Sequence, residues 1–315
     1  MQPLTLWTET FTDAQIAALR DFCATANGFE ATETPYAIFS CRSKPLKVTV
    51  VAYTSRKVVV SGKGTREFVE NVVEPRITGV AKLGYDDVHH PEWFERHAGL
   101  DESGKGDLFG PLVSCCVIAG GDAVKGWIEA GVRDSKTVAE SAIFELEKKI
   151  RATPGVVVKT ATTTMPKYNA LYAGKFGNLN AMLARFHFVA LREALFAARD
   201  SAAGTPEWGL LDQFSKTPLV QRELARNGVD FDLRMRTKAE SDPVVAAASI
   251  VARAVYVRAV KELEKIAGAA LPKGCSAGTR KAGEALVAKF GRERFGEFAK
   301  LHFKTAEEAL ASARR

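Results

Sequence analysis

Thirteen residues from Gly99 to Pro111, GLDESGKGDLFGP, bring together two adjacent carboxylates, a serine and a lysine set between glycines. Asp101 and Glu102 are suited to hold a hard cation. Gly104 and Gly106 have no side chains, so a phosphodiester backbone can come close to main-chain N–H groups there. The chemistry implied is metal-assisted cleavage or binding of a phosphodiester. Gly99, Gly104 and Lys105 also fill the glycine and lysine positions of a nucleotide-binding P-loop, but that reading fails on chemistry. Gly106 stands where a magnesium-ligating hydroxyl is needed, and Asp101 and Glu102 would repel phosphates from the loop interior. Pro111 then opens an apolar run, Leu112–Ala119, that reads as a buried strand rather than the helix a P-loop requires.

Further acids arrive from distant sequence. Asp212 closes the apolar run Trp208–Leu211, where a lone carboxylate on a buried face is costly unless paired or coordinated. Glu240 stands just before an alanine-rich helix whose first turn holds Pro243. Neighbouring residues of an ideal strand point to opposite sides, so the strand end is expected to bend if Asp101 and Glu102 are to serve one point.

The word GLDESGKGDLFGP resembles the signature of the type 2 ribonucleases H. The lysine between glycines, followed by Asp107, Phe109, Gly110 and Pro111, is similar to the ribonuclease HIII branch in particular. The resemblance continues in order through Asp134-Ser135-Lys136, Tyr168-Asn169-Ala170-Leu171 with Asn178-Leu179-Asn180, and Leu211-Asp212-Gln213-Phe214. It extends through Lys238-Ala239-Glu240-Ser241 with Ala246-Ala247-Ala248-Ser249, then Leu271-Pro272-Lys273-Gly274, and ends at Leu301-His302-Phe303-Lys304. It implies an endonuclease that hydrolyses the RNA strand of RNA/DNA hybrids and leaves 5′-phosphate and 3′-hydroxyl ends. By the family motif, Asp101, Glu102, Asp212 and Glu240 are its metal-binding carboxylates, with two Mg2+ or Mn2+ ions. Ser103, Gly104, Lys105 and Gly106 are placed at the ribose, and Ser135 and Lys136 at a phosphate. Lys105 replaces the arginine common in ribonuclease HII, and no tyrosine stands near Leu271–Cys275, so runs of ribonucleotides are the expected substrate.

The elements that must position these groups are legible in outline. Strands are expected at Leu112–Ala119, Gly155–Thr164 and Trp208–Leu211, ending at Asp212. Helices are expected at Ala139–Arg151, Leu179–Arg199, Val244–Ile266, Ala282–Phe290 and Ala306–Ala313, the last with a capping box of Thr305 and Glu308. This is an α/β pattern, a sheet flanked by helices, and the resemblance sharpens it to the ribonuclease H-like mixed sheet.

The first ninety residues read differently. Short alternating runs at Tyr36–Phe39, Leu46–Tyr53 and Lys57–Val60 lie between a helix after Thr12, boxed by Gln15, and another from Thr65 to Val73 before Pro75. They predict a small α+β module, making the chain α+β overall. The family resemblance likens this module to the fold of the TATA-binding protein and gives it a substrate-binding role. From Thr34 to Arg66 there are seven basic residues and no acid, among them Arg42, Lys44, Lys47, Lys57 and Lys63, which predicts a sheet with one basic face. Residues 1–85 are expected to form this domain, 86–98 a linker, and 99–315 the nuclease domain.

Composition agrees with two globular domains: 315 residues, 46% hydrophobic, net charge +7. No run is read as long enough for a membrane span and no export signal is seen, so a cytoplasmic protein without membrane or obligatory protein partner is expected. The five cysteines have no paired metal spacing and read as reduced small hydrophobes. His89 and His90 are rejected as ligands because adjacent side chains diverge, and His187 and His302 are read as core or helix-face residues. Two other classes stay open: a ribonuclease HII-like enzyme acting at single embedded ribonucleotides, and a non-catalytic nucleic-acid-binding protein that has no use for the acids.

Overall fold

A computed structural model describes residues 4–80, 82–83, 86–201 and 203–312. The chain divides into two compact units, Met1–Glu92 and Trp93–Arg315.

In the first unit, strands β1 (Leu6–Thr10), β2 (Phe29–Ala31), β3 (Ala37–Ser43), β4 (Val48–Tyr53) and β5 (Lys57–Ser61) form an antiparallel sheet in the order β1-β5-β4-β3-β2. Helix α1 (Asp13–Thr25) starts at the expected capping box of Thr12 and Gln15. Alternation decides the faces: Cys41, Val48, Val50, Ala52, Val58 and Val60 pack with Ile16 and Leu19 of α1 and Phe68 of α2 (Thr65–Phe68). The second helix does not stop before Pro75. It continues as a π-helical segment, Val69–Thr78, with Pro75 inside.

The expected basic face is corrected by the register. Arg42 pairs across from Thr49 and Lys57 from Thr10, so these two bases stand on the open face among Thr8, Ser40 and Ser61. Lys44 and Lys47 lie in the β3–β4 turn and Lys63 in the turn after β5. Those two turns adjoin, since Gly64 N–H donates to the Lys47 carbonyl. Arg42, Lys44, Lys47 and Lys63 therefore gather toward one end of the sheet, while Lys57 stands at the opposite end of β5. Lys44 is paired with Glu30. A short helix, α3 (Asp86–His89), ends the unit.

The second unit is a mixed five-stranded sheet in the order β10-β9-β6-β7-β8. Its strands are β6 (His97–Ser103), β7 (Val113–Ala119), β8 (Val157–Ala161), β9 (Trp208–Asp212) and β10 (Asp232–Arg236). Strands β6, β9 and β10 run parallel, while β7 and β8 are antiparallel to their neighbours. The helices are α4 (Asp122–Ala130), α5 (Glu140–Ala152), α6 (Met165–Leu171), α7 (Leu179–Arg199), α8 (Leu219–Arg226), α9 (Pro243–Ala267), α10 (Ala277–Phe290) and α11 (Lys304–Ser312). Every residue of β7 is buried because both faces are covered. Its odd positions, Val113, Cys115 and Val117, join a core with α9, α5 and α10, whereas Cys116 and Ile118 join a second core with α7 and α8.

Helix α9 lies hard against β6. A Cβ on Gly99 would stand 2.4 Å from the Val244 carbonyl carbon, so only glycine admits this approach. Helix α9 is also long and apolar enough to cross a membrane by length and composition, contrary to the sequence expectation, but 78% of its most apolar window is buried inside the protein. Thr305 lies within α11 and donates to the Cys275 carbonyl, so the expected capping box with Glu308 does not form.

Candidate active site

Strand β6 carries the two adjacent acids and remains regular through Ser103, paired residue for residue with β7. The expected bend is absent. Asp101 therefore shares the α9 side with Gly99, while Glu102 shares the α7 side with Ala98 and Leu100.

On the α9 side, Asp101 is buried and accepts from the Glu102 amide at 2.7 Å. Burial, together with the charges of Glu102 and Asp212, pushes its carboxyl up to about 8, against the favourable amide and the Ser249 hydroxyl. Asp212, at the end of β9, accepts from Ala239 N–H at 3.0 Å, and Glu240 follows directly in the same turn. The turn is entered through Lys238 in the left-handed region, φ 58°, a conformation that non-glycine residues adopt at some energetic cost. One Glu240 oxygen, Oε2, is buried and has no hydrogen-bond partner. Lys136 faces the same group: burial disfavours its charge, but Asp134, Asp101, Glu240 and Asp212 outweigh that and raise its pKa. Ser135 is buried and bonded to Ser249 of α9, Oγ to Oγ at 2.6 Å. Three acids from separate segments thus share one electrostatic neighbourhood with one lysine.

On the α7 side, Glu102 Oε2 accepts from His187 Nε2 at 3.1 Å, and its Oε1 lies 3.6 Å from Lys105 Nζ. Burial alone would raise the Glu102 pKa, but His187 and Lys105 overcome it and lower it. Lys105 also stands 5.0 Å over the Phe214 ring, and the same ring stacks on His187. His187 is therefore more than a core residue. Its only signal in the sequence is a polar side chain on the buried stripe Leu183, His187 and Leu191.

Asp242 was not singled out by sequence reasoning either. Its Oδ1 caps α9 by accepting from Val244 and Val245 N–H and meets His97 Nε2 at 3.1 Å, while its Oδ2, like Glu240 Oε2, is buried without a hydrogen-bond partner.

Ser103 ends β6, and Gly104 and Gly106 differ sharply behind it. Gly104 has φ +83°, and a Cβ there would meet the Pro111 carbonyl oxygen at 2.2 Å. Around Gly106 there is open space. The fold therefore needs the first glycine, whereas the second is left for an approaching ligand. Gly106→Ala is expected to melt within about 2 °C of the unaltered protein while losing about tenfold or more in the hybrid cleavage that the sequence resemblance implies. Thermal unfolding and steady-state kinetics on the same preparation check both halves.

Among the described residues, no three acid, histidine or cysteine side chains stand grouped as a ready metal cage. The donor set still fits a hard divalent cation: oxygen ligands only, one carboxyl forced toward neutrality for want of positive charge, and one buried carboxylate oxygen with nothing to bond. The bases Arg42, Lys44, Lys47, Lys57 and Lys63 all lie in the first unit.

Comparison with known proteins identifies the family. Residues 98–306 match the family model described as Ribonuclease HII. The ribonuclease HIII of Chlamydia caviae is 37% identical over 288 residues, covering 91% of each chain. That of Protochlamydia amoebophila is 35% identical, covering 90% of each. The solved structure of Bst-RNase HIII in complex with Mn2+ superposes with a TM-score of 0.67 at 28% identity, covering 99% of this chain and 100% of that one.

Proposed function

This chain belongs to the ribonuclease HII family, in its ribonuclease HIII branch, and we propose that Asp101, Glu102, Asp212 and Glu240 form its catalytic centre. It is a ribonuclease H, an endonuclease of RNA/DNA hybrids. The observation that carries the site assignment is the convergence of Asp101, Asp212 and Glu240 beside Lys136 from three separate segments.

The four carboxylates would hold two Mg2+ or Mn2+ ions, which when bound supply Lewis-acid charge at the scissile phosphate and the attacking water. Asp101, whose carboxyl is pushed up by burial and by the charges of Glu102 and Asp212, would release a proton when the ions bind. His187 and Lys105 keep Glu102 ionised on the α7 side of β6, so it would join the other three at a shared ion only by turning about the strand end, with no proton to lose. Lys136 places a cation beside the same acids, where a substrate phosphate must pass, and Ser135 fixes its backbone through Ser249. The Gly104-Lys105-Gly106 turn offers main-chain groups to the ribose 2′-hydroxyl, with Ser103 at its base. The products are 5′-phosphate and 3′-hydroxyl ends.

Labelled RNA/DNA hybrid incubated with the protein in Mg2+, Mn2+ or chelator tests this reading. Cutting along the RNA run with either metal, and none in chelator, is expected. Equal cutting of a duplex with one embedded ribonucleotide would move the protein to the ribonuclease HII type of activity, and no cutting under any condition removes the assignment.

The first unit serves as a hybrid-binding module in the same proposal. Arg42, Lys47, Lys57 and Lys63 are exposed and aligned along the open face and one end of the sheet, and phosphate neutralisation there gives affinity without sequence preference. Replacing all four with glutamine is expected to weaken hybrid binding about tenfold or more. The slope of log affinity against log salt should fall by about 0.9 for each side chain that touches a phosphate. Titrations at several salt concentrations measure both; an unchanged slope removes these residues from the interface.

A further inference from the structure

Three motifs of this chain carry no reacting group: Tyr168-Asn169, Leu271–Gly274 and the Lys300–Lys304 region. The structure gathers them behind the segment Gly104–Pro111. Leu108 N–H donates to the Gly274 carbonyl at 3.1 Å, and Gly274 N–H donates to Asp107 Oδ1 at 2.7 Å. Lys300 N–H donates to the Leu108 carbonyl, and Gly110 N–H to the Phe298 carbonyl. The Tyr256 hydroxyl holds the Phe109 carbonyl at 3.1 Å.

Lys300 is the centre of this bracket. Its side chain is fully buried, and its ammonium donates to the carbonyls of Asp107 and Gly110 at 2.7 and 2.5 Å while lying over the Tyr168 ring. Asn169 locks the segment that carries it: its amide nitrogen donates to the carbonyls of Gly296 and Ala299, and its oxygen accepts from Leu301 N–H. A buried charge is costly, and an apolar side chain would fill the same volume more cheaply if packing were the only need. What an apolar side chain cannot do is tie together two carbonyls three residues apart in the loop that follows the Gly104-Lys105-Gly106 turn.

We propose that Lys300 is a positioning residue that fixes the Gly104-Lys105-Gly106 turn through the Asp107 and Gly110 carbonyls and thereby sets the discrimination of RNA from DNA. This rests on the reading that the turn senses ribose. Lys300 touches no substrate; it determines how sharply the turn is held where a displacement of about 1 Å can cost about a hundredfold in rate.

The test is Lys300→Met in the full chain, compared with the unaltered protein. Amide hydrogen exchange is measured across residues 104–110 and across α7 and α9, alongside binding of an RNA/DNA hybrid and a DNA/DNA duplex of the same sequence. Exchange in 104–110 should rise about tenfold with α7 and α9 unchanged, and the hybrid preference should shrink about fivefold or more. A folded variant with unaltered exchange in 104–110, or with its hybrid preference intact, overturns the proposal. If Lys300→Met does not fold, Asn169→Ala replaces it, with the same directions at about half the size, and the same null results overturn it. If the unaltered protein itself shows no hybrid preference, the failure lies in the ribose-sensing reading of the turn.

Discussion

Asp101→Asn is expected to lower hybrid cleavage by about a thousandfold or more, about 4 kcal/mol of barrier, while hybrid affinity changes by less than about threefold. Asp101 feels the charges of Glu102 and Asp212 and acts on Lys136, so the substitution removes one carboxylate from the proposed ligand set. The substitution keeps the shape of the side chain, and an amide oxygen can still accept from the Glu102 amide as the carboxylate does at 2.7 Å. The loss should therefore fall on turnover rather than on binding or folding. Single-turnover rates in saturating Mg2+ or Mn2+, set beside equilibrium binding in chelator, separate the two. Retained turnover would refute the assignment of Asp101.

The second large effect concerns stability without metal. Asp101 ionises near pH 8 in the folded protein and near the ordinary carboxylate range when unfolded. Between about pH 4 and pH 8 the folded state then binds more protons than the unfolded state, so stability contributed at this group is complete below pH 4 and is lost as pH rises toward 8. The slope for one proton is at most about 1.4 kcal/mol per pH unit. His302, lowered to about 4 by burial and by Lys300, works in the opposite direction between pH 4 and 6.5, because there the unfolded state binds more protons. Subtracting the Asp101→Asn profile isolates the aspartate. In chelator, the melting temperature of the unaltered protein minus that of Asp101→Asn should fall from pH 4.5 to pH 8. Adding Mg2+ or Mn2+ should restore stability most at the alkaline end, with proton uptake by the buffer. A flat difference curve would show that Asp101 is not held neutral.

Much of this architecture was legible because long periodic segments constrain themselves. Helix α7 was read as Leu179–Arg199 and is found with those bounds, since its apolar stripe runs through five turns. Strand β7 was legible because a run buried on both faces is apolar at every position but Ser114. Strands β1, β2 and β10 were not: β1 and β10 are sheet edges that alternate with exposed polar residues, and β2 is three residues long, so none shows a run of apolar character. At the site, the order of motifs named the four acids, but not their facing. That depends on whether β6 stays regular, and the pairing of Glu102 with Ser114 and Ser103 with Val113 decides it. The partners of Glu102 and Asp242, namely His187 and His97, come from 85 and 145 residues away. Local sequence has no means of announcing such contacts.

Gly99 has an implication for how the chain assembles correctly. With a side-chain period of two, sliding β6 by one residue against its neighbours would exchange the faces of Asp101 and Glu102. Any such slip, in either direction, would also bring a residue with a side chain under α9, at a place where an added carbon stands 2.4 Å from backbone. Gly99 thus works as a keyway: the strand seats in one register, and misassembled forms that would present the acids on the wrong sides are rejected by steric exclusion before chemistry can be attempted.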